Sequence, residues 1–222
     1  MQKEVCKHRL KVTKTNALRF ISHLDWQGLI LKILRRCEVD LVLSEGFNKM
    51  PKVSYSPALP IFIESVCELV NFQTYGDLNS DFLENFKKNS PQGLEIIEFK
   101  KQEEFEPKSL EQYCQWALYD AKIKKTIYKN EEISYIIEKC LSSDEILIEK
   151  KTKKDIIKQV NYRNSLKILE IKDDSVLNFV LKTGQSDGIP AFRADEFLGL
   201  LFKDSDFLIK RLEFFDINMR VI

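Results

Sequence analysis

KHRLKVTKTNALRFISHLDWQGLILKILRRC, residues 7–37, contains the two hydrophobic periods from which the fold is read. In KHRLKVT, His8, Leu10 and Val12 alternate with Lys7, Arg9 and Lys11, the period of two expected of a strand. A turn is expected at Lys14–Ala17, after which the period changes. Ser22 stands where a helix N-cap is needed. Asp25, three residues on, stands where the returning carboxylate of a capping box belongs. Trp26, Leu29, Ile30, Ile33, Leu34 and Cys37 then recur at helical spacing as one apolar stripe, and Lys32, Arg35 and Arg36 lie off it.

Working outward, Ser44–Asn48 is expected as a loop and Pro51–Leu59 as a strand closed by Pro60. Residues 65–74 are expected as a further strand. Tyr75–Ser80 is a turn with Asn79 or Ser80 as cap. A short helix bearing Phe82, Leu83 and Phe86 ends at Asn89–Pro91, and residues 94–101 make a strand. The order β-α-β-β-α-β is that of a ferredoxin-like unit, a four-stranded antiparallel sheet with both helices on one face. Residues 102–110 are polar, acidic and contain Pro107, which suits a linker. The pattern then repeats. A strand is expected over 113–124, and a helix capped by Asn130 carries Ile133, Ile136, Ile137, Cys140 and Leu141. An extra hairpin strand is expected near 145–170, and two apolar runs within 164–182 split at Lys172–Ser175. A short helix over 193–202 and a strand over 207–215 close the chain. The expected class is α+β, with tandem ferredoxin-like (βαββαβ) units and antiparallel sheets, residues 1–103 and 104–222.

Of the 222 residues, 44% are hydrophobic and 31% charged, which supports a packed core and excludes a disordered chain. No apolar run approaches the ~18 residues of a membrane span, and the start lacks the apolar core of a signal peptide. A cytoplasmic protein without a membrane partner is therefore expected. The net charge of +1 argues against an overtly cationic nucleic-acid binder. That total conceals blocks of +6 over residues 1–60, −7 over 61–120, +4 over 121–170 and −2 over 171–222. Cys6, Cys37, Cys67, Cys114 and Cys140 form no C-x-x-C pair, and the only histidines are His8 and His23. Reduced, buried thiols are expected, with no metal and no cofactor. The chain has no cluster-binding cysteine triplet and no Gly-rich phosphate loop, so neither a radical enzyme nor a P-loop NTPase is expected.

One pattern runs through Arg19-Phe20-Ile21-Ser22-His23-Leu24-Asp25, Leu34-Arg35-Arg36, Ser44-Glu45-Gly46-Phe47-Asn48, Pro51-Lys52, Ser56-Pro57-Ala58-Leu59-Pro60 and Glu64-Ser65. It resembles the bacterial radical-SAM-linked protein family, a domain of unknown function. Its members are typically encoded beside, or fused behind, a radical SAM protein, often near a ribonuclease of the E/G type. The resemblance covers the chain broadly, with its specific motifs in residues 9–68, and implies a radical SAM protein as partner. The chain departs from the family in several places. A glycine is usual where Asn16 or Ala17 sits, and another where Phe62 sits. N-P-H-P is usual where Asn48-Lys49-Met50-Pro51 stands, so a second family histidine is absent. Asn161-Tyr162-Arg163 resembles a D-x-R motif without its Asp, and Arg193-Ala194-Asp195-Glu196 resembles R-P-x-E without its Pro. Arg211 matches a late family arginine.

These residues give the candidate site. Arg19, Ser22 and His23 stand at a helix N-terminus, where free N–H groups favour an anion. The alternative is a capped helix start with Asp25 opposing any anion. His23 has the ordinary range of a general acid or base. The alternative is a structural histidine, the commoner role of a lone His. Arg35 and Arg36 fit either phosphate contact or a solvated face. Phe47, with Lys49 and Lys52 beyond it, follows the grammar of single-stranded RNA binding, an aromatic flanked by cations, or else Phe47 plugs the core. Arg163 and Arg193 join the RNA- or phosphate-binding set through the resemblance. Lys150-Lys151 and Lys153-Lys154 form a second basic run. The leading expectation is a non-catalytic RNA-binding or substrate-presenting module working with a radical SAM enzyme in RNA modification or processing. The alternatives are a metal-independent endoribonuclease using His23 and a pure protein-interaction subunit.

Overall fold

In the computed structural model, which describes residues 4–106, 109–151, 157–173, 175–184 and 188–222, the chain is a mixed α/β fold whose sheets are largely antiparallel. It divides into two units, Met1–Tyr113 and Cys114–Ile222.

The alternation read in residues 7–13 becomes strand β1 (Val5–Lys14), which buries Cys6, His8, Leu10 and Val12 on one face. A 3-10 turn (Asn16–Phe20) leads to helix α1 (His23–Arg36). Trp26, Ile30, Ile33 and Leu34 of α1 are fully buried against Leu10, Val12, Val70 and Phe72. Each such side chain removed from water contributes about 1.5–3 kcal/mol, so this stripe is what holds α1 to the sheet. Strand β2 (Val53–Tyr55) is shorter than the expected Pro51–Leu59. Beyond Tyr55 the chain turns inward, where Ser56 donates its N–H to Leu69 O and its hydroxyl to the buried Glu68. Strand β3 (Glu64–Tyr75), helix α2 (Phe82–Asn89) and strand β4 (Ile96–Gln102) complete the sheet, whose order is β4-β1-β3-β2.

The stretch expected as a linker is attached to this first unit. Arg9 pairs with Glu106 at 2.5 Å and Lys7 donates to Glu103 O. Helix α3 (Leu110–Tyr113) occupies the start of the expected strand 113–124. The N–H groups of Gln112 and Tyr113 both bond Ser109 O and close a helical turn there. Residues 107–108 lie outside the described residues.

The second unit begins with strand β5 (Trp116–Lys125) and helix α4 (Asn130–Ser142). Asn130 is the first helical residue and Lys129 is the cap. Glu132 reaches back to the Lys129 N–H at 2.7 Å, which moves the start by one residue from the expected cap. A separate hairpin of β6 (Leu147–Lys151) and β7 (Ile157–Asn161) follows, in the region where an extra strand was expected. Strands β8 (Leu166–Asp173) and β9 (Val176–Lys182), helix α5 (Ala194–Leu201) and strand β10 (Asp206–Phe215) then give a sheet ordered β10-β5-β9-β8. Leaving the hairpin aside, both units place the first strand between the last and the third, with the second outermost. The core of the second unit stacks Tyr119 on Phe179 and packs Phe179 and Phe192 against Phe197. All five cysteines are free and buried. Among the described residues no helix is long and apolar enough to cross a membrane.

Candidate functional site

The candidate residues of the first unit sort to the two ends of α1, which rises about 20 Å over its fourteen residues. Sheet register fixes which residues share an end. Lys14 pairs with Ser65 at the end from which the chain enters α1, whereas Val5 pairs with Tyr75, and Leu41 bridges Thr74, at the end where it leaves.

At the N-terminal end each candidate side chain has an internal partner. Ser22 Oγ accepts the Asp25 N–H at 3.1 Å, the N-cap half of the box read from the sequence, and donates to the Asp25 carboxylate at 2.6 Å, so that the carboxylate meets the Ser22 hydroxyl. The dipole of this helix end is therefore already met by a carboxylate. The Arg19 guanidinium lies 3.6 Å from the nearly buried Glu64, which also accepts the Asn16 N–H. His23 is half-buried, stacks on Trp26 and meets Tyr55 edge-on. Its Nε2 accepts from the Gln27 amide at 2.8 Å, so the proton of the neutral ring sits on Nδ1. Burial pushes the Tyr55 phenol above its ordinary range, and its hydroxyl donates to Gln27 O. These contacts make a packed polar cluster around the first turns of α1.

The C-terminal end is different. Arg35 and Arg36 are exposed in the last turn of α1, where the dipole favours cations. Four residues beyond Cys37 the chain forms an arm. Leu41 bridges Thr74 and Leu43 bridges Pro51. The Lys52 N–H bonds Val42 O at 2.7 Å. The tip is closed by Ser44 N–H to Met50 O at 2.7 Å and by Met50 N–H to Ser44 Oγ at 3.0 Å. Gly46 supplies the left-handed step at φ 112° that this tight closure needs. Phe47 stands at the tip, 103% exposed, with exposed Met50, Lys49 and Lys52 beside it. The core-plug alternative for Phe47 is thereby excluded. From Lys32 to Lys52 five cations face Glu38, Asp40 and Glu45, a modest positive surplus.

The candidates of the second unit are held internally. Arg163 donates from Nε to Ser143 O at 2.9 Å and from its terminal nitrogen to Leu141 O at 3.1 Å, so it caps the C-terminus of α4. Asn161, where an Asp was expected from the resemblance, accepts the N–H groups of Ile146 and Arg163 with its side-chain oxygen. Arg193 grips Asp195 through two nitrogens and lies 3.8 Å from Glu196, and this pairing raises its already high pKa. Of the basic run at 150–154, Lys150 pairs with Glu196 at 2.9 Å, and residues 152–156 lie outside the described residues.

Sequence reasoning missed a set of buried charges. Lys14 donates to Ile21 O, and Lys182 donates to Gln115 at 2.5 Å while lying over the Trp116 ring. Arg211, singled out only by resemblance, donates to the Tyr119 hydroxyl and covers the Phe214 ring. Glu68 is wholly buried on β3. Their partners are distant in sequence, so no local pattern signals them. Among the described residues no group of three or more His, Cys, Asp or Glu is placed to hold a metal ion.

A mixed α/β chain of two antiparallel-sheet units, carrying a hydrogen-bonded arm with one exposed aromatic, is what fold and site define. The chain belongs to the family described as "Uncharacterized protein conserved in bacteria (DUF2344)", whose model matches residues 7–190. No curated protein matches it. Among solved structures it is similar to a chain of the "Crystal Structure of a Cbf5-Nop10-Gar1 Complex", at 10% identity and a TM-score of 0.44. That alignment covers 93% of this chain and 48% of the other, so the chain spans about half the length of the solved one.

Proposed function

We propose that this protein is a non-catalytic RNA-binding module, built of two ferredoxin-like βαββαβ units, that presents single-stranded RNA to a radical SAM enzyme in the bacterial cytoplasm. The repeated strand order, β4-β1-β3-β2 and β10-β5-β9-β8, supports the two-unit reading. The radical SAM partner follows from the resemblance of the RFISHLD, SEGFN and ALP motifs.

One observation carries the RNA reading: Phe47 is fully exposed on an arm locked by its own hydrogen bonds, with exposed Lys49 and Lys52 following it on the same arm. A ring held in solvent by a braced loop gains nothing for the fold. It is pre-ordered for a flat partner, and every base offers one. Lys49, Lys52, Arg35 and Arg36 supply phosphate contacts around it. Ser22, Arg163 and Arg193 act within the fold, since their polar atoms already bond neighbours. His23 acts in the aromatic cluster at the other end of α1, and no catalytic step is assigned to it.

Filter binding at low salt, with single-stranded RNA, structured RNA and duplex DNA, tests the proposal. Retention of single-stranded RNA above a neutral control protein is expected. Retention no better than the control would falsify the RNA reading. Co-purification with the radical SAM protein without any RNA affinity would instead favour a pure protein-interaction subunit.

A further inference from the structure

At the opposite end of α1 from the arm, two further aromatic side chains are held in solvent. Phe20 is 51% and Phe62 69% exposed, and their rings meet edge-on at 5.7 Å and 79°. The Arg19 guanidinium lies 4.8 Å over the Phe20 ring, and the Phe62 N–H bonds Arg19 O at 2.8 Å. Leu24 and Ile61, both exposed, adjoin the pair in sequence. Phe62 has φ 74°, a left-handed conformation that is a genuine outlier for a bulky side chain. Backbone strain of this kind persists where surroundings over-determine it, and it concentrates at ligand clamps. More than half exposed, the strained ring meets the Phe20 ring edge-on.

We propose that Phe20, Phe62 and Arg19 form a second nucleobase platform, which takes another base of the same single-stranded RNA. This inference rests on the RNA reading of the arm and names the extent of that substrate. Two rings at right angles give one base a face to stack on and an edge to abut, and unpaired bases are held in this way by aromatic and guanidinium planes. Arg19 binds Glu64 through one nitrogen and keeps further donors for a phosphate. The cation at this end is Arg19 itself, lying over the Phe20 ring, and it favours a phosphate-bearing partner over a neutral apolar one. The helix α1 that runs between the two ends rises about 20 Å, the length of about six nucleotides of a stacked strand.

The test titrates the full chain into single-stranded RNAs of four to ten nucleotides bearing 2-aminopurine at one end. A rise in affinity once the RNA spans both platforms is expected, with quenching of the 2-aminopurine. Phe62→Gly is expected to lower affinity for the longer RNAs on the order of tenfold. It is also expected to raise the melting temperature, because glycine adopts φ 74° freely. Phe62→Asn and Phe20→Leu carry the same reading should the glycine variant misfold. Full affinity in all three variants, with binding still lost in Phe47→Ala, overturns this inference and leaves the RNA function intact. Variants that keep RNA affinity but dissolve a protein complex assign the patch to protein contact and overturn it equally. No RNA binding by the wild type overturns both.

Discussion

His8 sits fully buried between the Phe72 and Phe99 rings, and its Nε2 donates to Thr74 Oγ1 at 2.9 Å. Thr74 Oγ1 donates in turn to Gly76 O, which fixes the His8 tautomer, and Nδ1 has no hydrogen-bond partner among the described residues. Burial lowers the His8 pKa below 6.5, and Lys101 works in the same direction against the opposing pull of Asp77. A buried neutral imidazole binds fewer protons than the unfolded one, so stability rises with pH across this window. The contribution is complete above pH 6.5 and is lost as pH falls toward the lowered folded value. Urea midpoints compared between pH 5.5 and 7.5 are expected to fall on acidification, and to fall less in His8→Leu. Equal slopes would show that His8 is not the group responsible. The sequence placed His8 on the buried face of β1 but was silent on its aromatic neighbours, which come from strands sixty and ninety residues away. The same limit hid Lys14, Lys182 and Arg211. A cation reads as exposed unless its partner is known. Phe62 and Asn16 are a contrasting case. The resemblance expects glycine at or beside these positions, and their φ values of 74° and 55° supply the reason.

At the scale of elements, α1 was legible almost residue by residue. Ser22 caps it by accepting the Asp25 N–H, and the apolar stripe is the buried one. Capping and periodicity are local, so one sequence suffices to see them. Of the arm at 41–52, the sequence showed the loop Ser44–Asn48 and a strand from Pro51, while the bridges Leu41–Thr74 and Leu43–Pro51 are not encoded in any period. The turn before β4 depends on Gly93 for a similar non-local reason. Its carbonyl accepts from Thr13 Oγ1 and from the Thr15 N–H, at φ 93°. A Cβ there would stand 2.3 Å from Thr15 O. Gly93→Ala is therefore expected to destabilise the first unit by more than about 1 kcal/mol, through both strain and clash. Equilibrium unfolding measures this, and an unchanged midpoint would mean that the β1–β4 connection adapts freely.

Over the whole molecule, the +1 net charge is a cancellation between a basic first block and an acidic second one. Within the basic block the structure sorts the cations further. Lys14 is buried and Arg19 is paired, while Arg35, Arg36, Lys49 and Lys52 remain exposed near the arm. The electrostatic case for RNA is thus local and modest, and the weight falls on the exposed ring. Because Phe47 is wholly exposed, removing it leaves the fold intact, which makes it a clean probe of binding. The decisive measurement is the fluorescence anisotropy of a labelled single-stranded RNA titrated with wild type and with Phe47→Ala, at matched low salt and with melting temperatures recorded for both. Wild type is expected to bind, and the variant to bind on the order of tenfold more weakly at an unchanged melting temperature. Equal affinities for the two proteins, or no binding by either, would contradict the account.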